Sequence, residues 1–161
     1  MSYKNNKKMK ALYNYLVLLL LIALNTSCLK AGLDDLETYN QNDITNVRFE
    51  YRWWDESGQR LRVMEMTTEK TIDNKAKEIV CTIKVPEATQ TFTTEIRNQV
   101  SLSTLAINVD ASTSARISPV GNAPAMGIFP SDFSAKEFVY KVTAGNGDDA
   151  NWTIRITDLN K

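Results

Sequence analysis

Residues Glu137–Thr157 read EFVYKVTAGNGDDANWTIRIT, and this stretch decides the fold. Phe138, Tyr140 and Val142 alternate with Val139, Lys141 and Thr143, and Trp152, Ile154 and Ile156 alternate with Thr153 and Arg155. A period of two places the large side chains of each segment on one face, the pattern of a half-buried strand. Between them, Gly145-Asn146-Gly147-Asp148-Asp149 supplies residues suited to a tight turn. The stretch therefore predicts a hairpin with one apolar face. Such a face needs a second layer to cover it.

Working outward, the same period recurs. In NVRFEYRW, Val47, Phe49, Tyr51 and Trp53 oppose Asn46, Arg48, Glu50 and Arg52. The Asp55-Glu56-Ser57-Gly58 turn then leads to RLRVMEMT, about 60–67, a strand expected to pair with the first. After a turn at Asp73-Asn74-Lys75, EIVCTIKV puts Ile79, Cys81, Ile83 and Val85 on one face and ends at Pro86, which has no ladder donor. TLAINVD (104–110) alternates cleanly, and ARIS (115–118) is a short strand expected to end at Pro119. In residues 91–102, Phe92, Thr94 and Ile96 alternate within a polar run, which leaves this segment unassigned. No 3.6-residue amphipathic pattern of useful length appears after Cys28. Short strands with frequent turns predict an all-β antiparallel sandwich over 44–161. That length is ample for one core.

Upstream lies a different kind of sequence. Residues 1–14 are basic and Tyr15–Leu24 are apolar apart from the tyrosine hydroxyl, followed by Asn25-Thr26-Ser27-Cys28. Ten residues of helix span about 15 Å, half a bilayer core, so a signal peptide fits better than a resident transmembrane helix. A small residue before cysteine resembles a bacterial lipobox, with Asn25 where an aliphatic residue is usual. The resemblance implies removal of 1–27 and lipidation (palmitate) of Cys28. Residues 28–43 are then a lipidated cysteine and flexible tether. Lys30 with Asp34 and Asp35 loosely resembles the lysine-plus-acids export signal of Bacteroidota lipoproteins.

Composition excludes several chemistries. The chain has 19 Lys+Arg and 19 Asp+Glu, but residues 1–27 hold four lysines and no acid, so the remainder carries about −4. That argues against a nucleic-acid partner, which needs clustered positive charge. No histidine is present, which removes Ser-His-Asp and Cys-His catalysis and His-ligated zinc. With Cys28 lipidated, Cys81 has no intramolecular partner and reads as a small buried hydrophobe. We expect no enzyme, no cofactor and no metal. Gly145–Asp149 is oxygen-rich but is one short turn without EF-hand spacing. Asn151-Trp152-Thr153 matches a glycosylation sequon that the strand pattern already explains.

The order "ITNVRFEYRW", "TIDNKAKEIVCTIKVP", "SARISP", "SDFSAKEFVYKVTAGNGDDANWTIRIT" resembles the immunoglobulin-like domains of uncharacterised Bacteroidota surface lipoproteins, and "CLKAGLDDLETY" resembles their mature N-termini. The resemblance covers about 28–158. It implies an immunoglobulin-like sandwich and an outer-membrane, lipid-anchored location. Its relatives occur among carbohydrate-uptake and adhesion lipoproteins.

Three residues are candidates for ligand contact. Adjacent Trp53 and Trp54 must point to opposite faces of a strand, one toward the core and the other at least partly exposed. An exposed indole suits stacking on a sugar ring, whereas rim packing is the plainer role. Phe129 lies in the long loop at about 120–136, which either forms a binding tip or plugs one end of the sandwich with Ile128, Phe129 and Phe133. The function expected is a noncatalytic surface lipoprotein, glycan-binding or adhesive. The alternative is a structural or protein-binding subunit of an envelope or pilus-like assembly. The expected partners are a membrane through the lipid anchor, and a glycan or another envelope protein.

The lipid assignment makes a direct prediction. More than one acyl chain is needed for stable attachment, each buried CH₂ contributing about 0.8 kcal/mol. Cys28→Ala should move the protein from the membrane to the soluble fraction on cell fractionation. A variant that still sediments with membranes would disprove lipid anchoring at Cys28.

Overall fold

The computed structural model describes residues 13–15, which are helical, and 39–161. The proposed lipidation site Cys28, and the leader and tether apart from those residues, lie outside the described residues. No helix among the described residues is long and apolar enough to cross a membrane.

The body is an all-β sandwich. Its strands are β1 (Ile44–Asp55), β2 (Arg60–Glu65), β3 (Thr67–Asp73), β4 (Glu78–Lys84), β5 (Ala106–Ala111), β6 (Arg116–Val120), β7 (Glu137–Thr143) and β8 (Asp149–Asn160). One sheet has three strands in the order β2-β1-β5, and the other five in the order β3-β4-β8-β7-β6. The β7–β8 hairpin forms with Tyr140 opposite Trp152 and Phe138 opposite Ile154, all four buried. From the other sheet, Val47, Phe49, Tyr51 and Ile107 close the core. Phe133 packs edge-on between the layers, 5.4 Å from Phe49 and 5.3 Å from Phe138.

The sequence predicts antiparallel pairing, and one strand pair departs from it. β4 and β8 run parallel, with Ile79 opposite Ile154 and Cys81 opposite Ile156. A parallel pair needs a long connection, and residues 85–148 lie between these two strands. Alternation identifies the buried face of a strand but not the direction of its neighbour.

Two further expectations are corrected, and one unassigned segment takes a definite form. The strand at 60–67 is two strands. β2 pairs with β1, Met66 breaks the ladder, and β3 pairs with β4 in the opposite sheet. Met66 is buried between the layers, and its N–H donates to the Phe49 carbonyl at 2.8 Å. Strands that change sheets at a bend are a usual way to make a sandwich corner. Pro119 lies inside β6 rather than ending it. β6 is an edge strand, where a missing donor is tolerated. Part of the unassigned 91–102 segment is a helix, α1 (Thr94–Gln99), capped by the Thr93 hydroxyl, which accepts from the Ile96 N–H at 3.5 Å.

The long loop after β6 packs back on the body through Phe129 and Phe133, whereas Ile128, expected to plug the sandwich with them, is exposed. Its backbone N–H groups at Gly127, Ser131 and Phe133 donate to the carbonyls of Ile107, Leu105 and Leu102 at 2.9, 2.9 and 2.7 Å. It thereby covers the edge of β5 that β1 does not pair. Tyr140 donates its hydroxyl to the Pro124 carbonyl at 2.8 Å, fixing the loop from below.

The last residues of the expected spacer are held against the body. Trp152 donates its indole N–H to the Asn42 carbonyl at 2.9 Å. Lys77 reaches Asp43 at 2.7 Å and Asn42 Oδ1 at 3.0 Å, and lies 5.2 Å over the Trp152 ring. Asn146 donates its N–H to the Tyr39 carbonyl at 3.0 Å.

Cys81 is buried and free, as its position on the β4 face predicts. Burial pushes its thiol up to about 11, against the opposing pull of Lys70, so it stays protonated and unreactive at neutral pH.

Trp152 thus joins core packing to the strap at 39–43. Trp152→Phe removes buried volume and leaves the Asn42 carbonyl without its donor. We expect it to cost about 2–3 kcal/mol in urea unfolding. Trp54→Phe, at a half-exposed site, should stay within about 0.5 kcal/mol. Equal losses would mean that Trp152 has no special structural role.

Candidate functional site

β1 carries the site because its two neighbours divide it. β5 pairs with it from Ile44 to Glu50, and β2 from Glu50 to Asp55. Beyond Glu50 the inner face of β1 loses β5 alongside, and the chain from Pro86 to Gln99 packs there instead. Phe92 is fully buried, with its ring 5.5 Å from that of Trp53. Tyr51 donates its hydroxyl to Gln99 Oε1 at 3.1 Å, tying α1 to the sheet. Arg97 donates to the Pro86 carbonyl at 2.8 Å, closing the segment on itself.

Between the β1–β2 hairpin and this segment lies an open cleft of about 300 Å³. One wall is Trp53, Trp54, Asp55, Glu56, Ser57 and Arg62. The other is Gln90, Thr91, Thr93 and Ile96. Gln90 and Thr91 sit exposed at the tip of a tight turn. That turn is closed by the Thr89 N–H donating to the Phe92 carbonyl at 2.8 Å, and by the Phe92 N–H donating to the Thr89 hydroxyl at 3.0 Å.

Asp55 organises the hairpin tip. Its Oδ1 accepts from the Ser57 hydroxyl at 2.6 Å and from the Ser57 and Gly58 N–H groups at 3.1 and 3.2 Å. Its Oδ2 accepts from Arg62 Nε at 2.6 Å. The Ser57 hydrogen bond first, and then Arg62, hold the Asp55 carboxyl well below the usual carboxylate range. A depressed folded-state value means that this stabilisation is present at neutral pH and is lost only as the pH falls through that value.

The sequence candidates are placed unequally. Trp53 is half-buried against Tyr51 and Phe92, and Trp54 is 52% exposed, the opposite-face arrangement that adjacency predicts. Both line the cleft. Phe129 does not line it; its ring packs edge-on against Tyr51 at 5.6 Å, on the core side of the loop. Arg62, Gln90 and Thr91 were not among the sequence candidates. Gln90 and Thr91 lie in a polar run whose only structural marks are Pro86 before it and the Thr93 cap after it. No group of three or more potential metal-ligating His, Cys, Asp or Glu side chains occurs among the described residues.

On the outer face of the same hairpin, Trp54 lies opposite Leu61, and Arg52 opposite Val63. Trp54, Leu61 and Val63 are all exposed. Arg52 pairs with Glu50 and donates to the Gly127 carbonyl at 2.8 Å, which bolts the loop to this face.

No curated protein matches the chain. A crystal structure of a candidate secreted protein from Bacteroides fragilis NCTC 9343 is 31% identical to it and superposes with a TM-score of 0.67. That match covers 77% of this chain and 99% of the other. It agrees with a secreted or envelope protein of Bacteroidota type. The family pattern described as DUF5018-related matches residues 44–155, nearly the whole sandwich. The chain belongs to the DUF5018-related family.

Proposed function

We propose that this protein is a noncatalytic glycan-binding module of the cell surface, lipid-anchored to the outer membrane at Cys28, with an immunoglobulin-like sandwich as its scaffold. The observation that supports it most is the Trp53–Trp54 cleft. Sugar rings present C–H groups on one face and hydroxyls at the rim. An indole gives the first an apolar platform, while Gln90, Thr91 and Glu56 offer donors and acceptors to the second. Aromatic walls with a few convergent polar groups are the general form of a small-molecule site.

Placement favours the same reading. The strap at 39–43 leads into the Ile44 end of β1, whereas the cleft lies at the Asp55 end. Twelve residues of strand separate the two ends by roughly 36 Å. The cleft thus lies at the end of β1 opposite the strap at 39–43. A noncatalytic role suits the charge arrangement, because Asp55 is saturated by hydrogen bonds and paired with Arg62. Hydrolysis of a glycoside by the usual route needs two free carboxyls about 5–10 Å apart.

A glycan array probed with the full chain should give positive spots, and Trp54→Ala should reduce them at least about tenfold. Gln90→Ala should weaken them without altering the melting temperature. A blank array, or full retention by both variants, would overturn the reading. The exposed Leu61 and Val63 beside Trp54 favour a protein-binding subunit as the second reading. A stoichiometric envelope partner retained by wild type and lost in Leu61→Lys would select it.

A further inference from the structure

The charges around the cleft bear on which sugars it accepts. Asp55 and Arg62 are both partly buried and neutralise each other at 2.6 Å. Three exposed charged groups lie in the lining or on the elements beside it: Glu56 in the lining, Arg60 beside Gly58 on the hairpin, and Glu95 in the first turn of α1. The sum over these five groups is −1. The remaining polar lining is uncharged: Ser57, Gln90, Thr91 and Thr93. Ser57 gives its hydroxyl to Asp55, and the Thr93 hydroxyl caps α1. Gln90 and Thr91, exposed at their turn, are therefore the side chains best placed to meet a ligand.

An amide and a hydroxyl each donate and accept, so they match sugar hydroxyls without preferring an anion. A carboxylated or sulfated sugar is best held by an arginine fork, and the Nε edge of the Arg62 fork is already directed at Asp55. Such a sugar would also meet Glu56, whose carboxylate accepts sugar hydroxyls readily and repels a second anion.

We infer that the cleft takes uncharged hexose units of an oligosaccharide and discriminates against uronic-acid and sulfated glycans, with Glu56 as the discriminating residue and Gln90 and Thr91 as the hydroxyl-reading pair. This rests on the glycan-binding reading above. It adds the chemical class of the sugar and assigns the selection to residues on both walls of the cleft.

The test is a titration of the full chain in detergent, followed by tryptophan fluorescence. The probes are cellohexaose, maltohexaose and mannohexaose as neutral chains, hexagalacturonate as the anionic chain, and spermine as a cationic control. At least one neutral hexaose should saturate. Hexagalacturonate should bind at least about fivefold more weakly, and the gap should shrink at high salt because exposed charges are screened. Glu56→Lys, a substitution at an exposed turn position, should narrow or reverse the order while leaving the melting temperature unchanged. Hexagalacturonate binding as tightly as the best neutral chain would overturn the inference and leave the glycan reading standing. The absence of a response to any hexaose, or saturation by spermine alone, would overturn both.

Discussion

Strand β1 is twelve residues long, and neither neighbour runs its full length. The backbone of a strand must find partners on both sides or be covered. Its apolar face must be buried wherever it is not flanked. In the first half of β1 both demands are met inside the sandwich. In the second half, Tyr51 and Trp53 need another cover, and the Pro86–Gln99 segment provides it through Phe92 and Gln99. The cover is incomplete at the tip, and the cleft is what remains open. The candidate site therefore follows from a mismatch in strand length, with no dedicated insertion required.

The sequence made the strands legible where each had one wet face and one dry face. β1, β4, β7 and β8 follow the period of two, and their inward residues are the core. β3 escaped notice because its sequence, TTEKTID, belongs to an edge strand with no buried residue. The helix escaped for a different reason. Phe92, Ile96 and Val100 are spaced by four and all face inward, two of them fully buried, yet Phe92, Thr94 and Ile96 also fit a period of two. Over so short a run the two periods share positions, and the Thr93 cap is the signal that separates them. The parallel β4–β8 pair was not legible from side-chain alternation, because that pattern is the same for either direction of the neighbouring strand.

The site was legible by half. Two adjacent tryptophans on a strand cannot share a face, and the alternation through Val47, Phe49 and Tyr51 puts Trp53 on the inward one. The opposite wall depends on a contact between residues more than thirty positions apart, and no local pattern marks Gln90 or Thr91 as neighbours of Trp53. Phe129 was drawn into the candidate set by its loop. The loop proved to serve the β5 edge, and that use turns its aromatic residues toward Tyr51 and Phe49.

The hairpin tip shows how a polar turn is fixed by hydrogen bonds to one side chain. Asp55 accepts from one hydroxyl, two backbone N–H groups and an arginine, so both of its oxygens are occupied. A carboxylate so fully occupied is a poor acid or base, because protonating it would break several bonds at once. It is a good fixture, because the same bonds tie the turn at Ser57 and Gly58 to Arg62 on β2, across the hairpin. At the other end of β1, Trp152 and Lys77 hold the strap at Asn42 and Asp43 in the same manner, through a buried donor and a charge. The two ends of one strand are thus each fixed by side chains, and the stretch between them is packed core. Each end of β1 is thus a stiff element, and that stiffness is what keeps the side chains at its tip in fixed geometry.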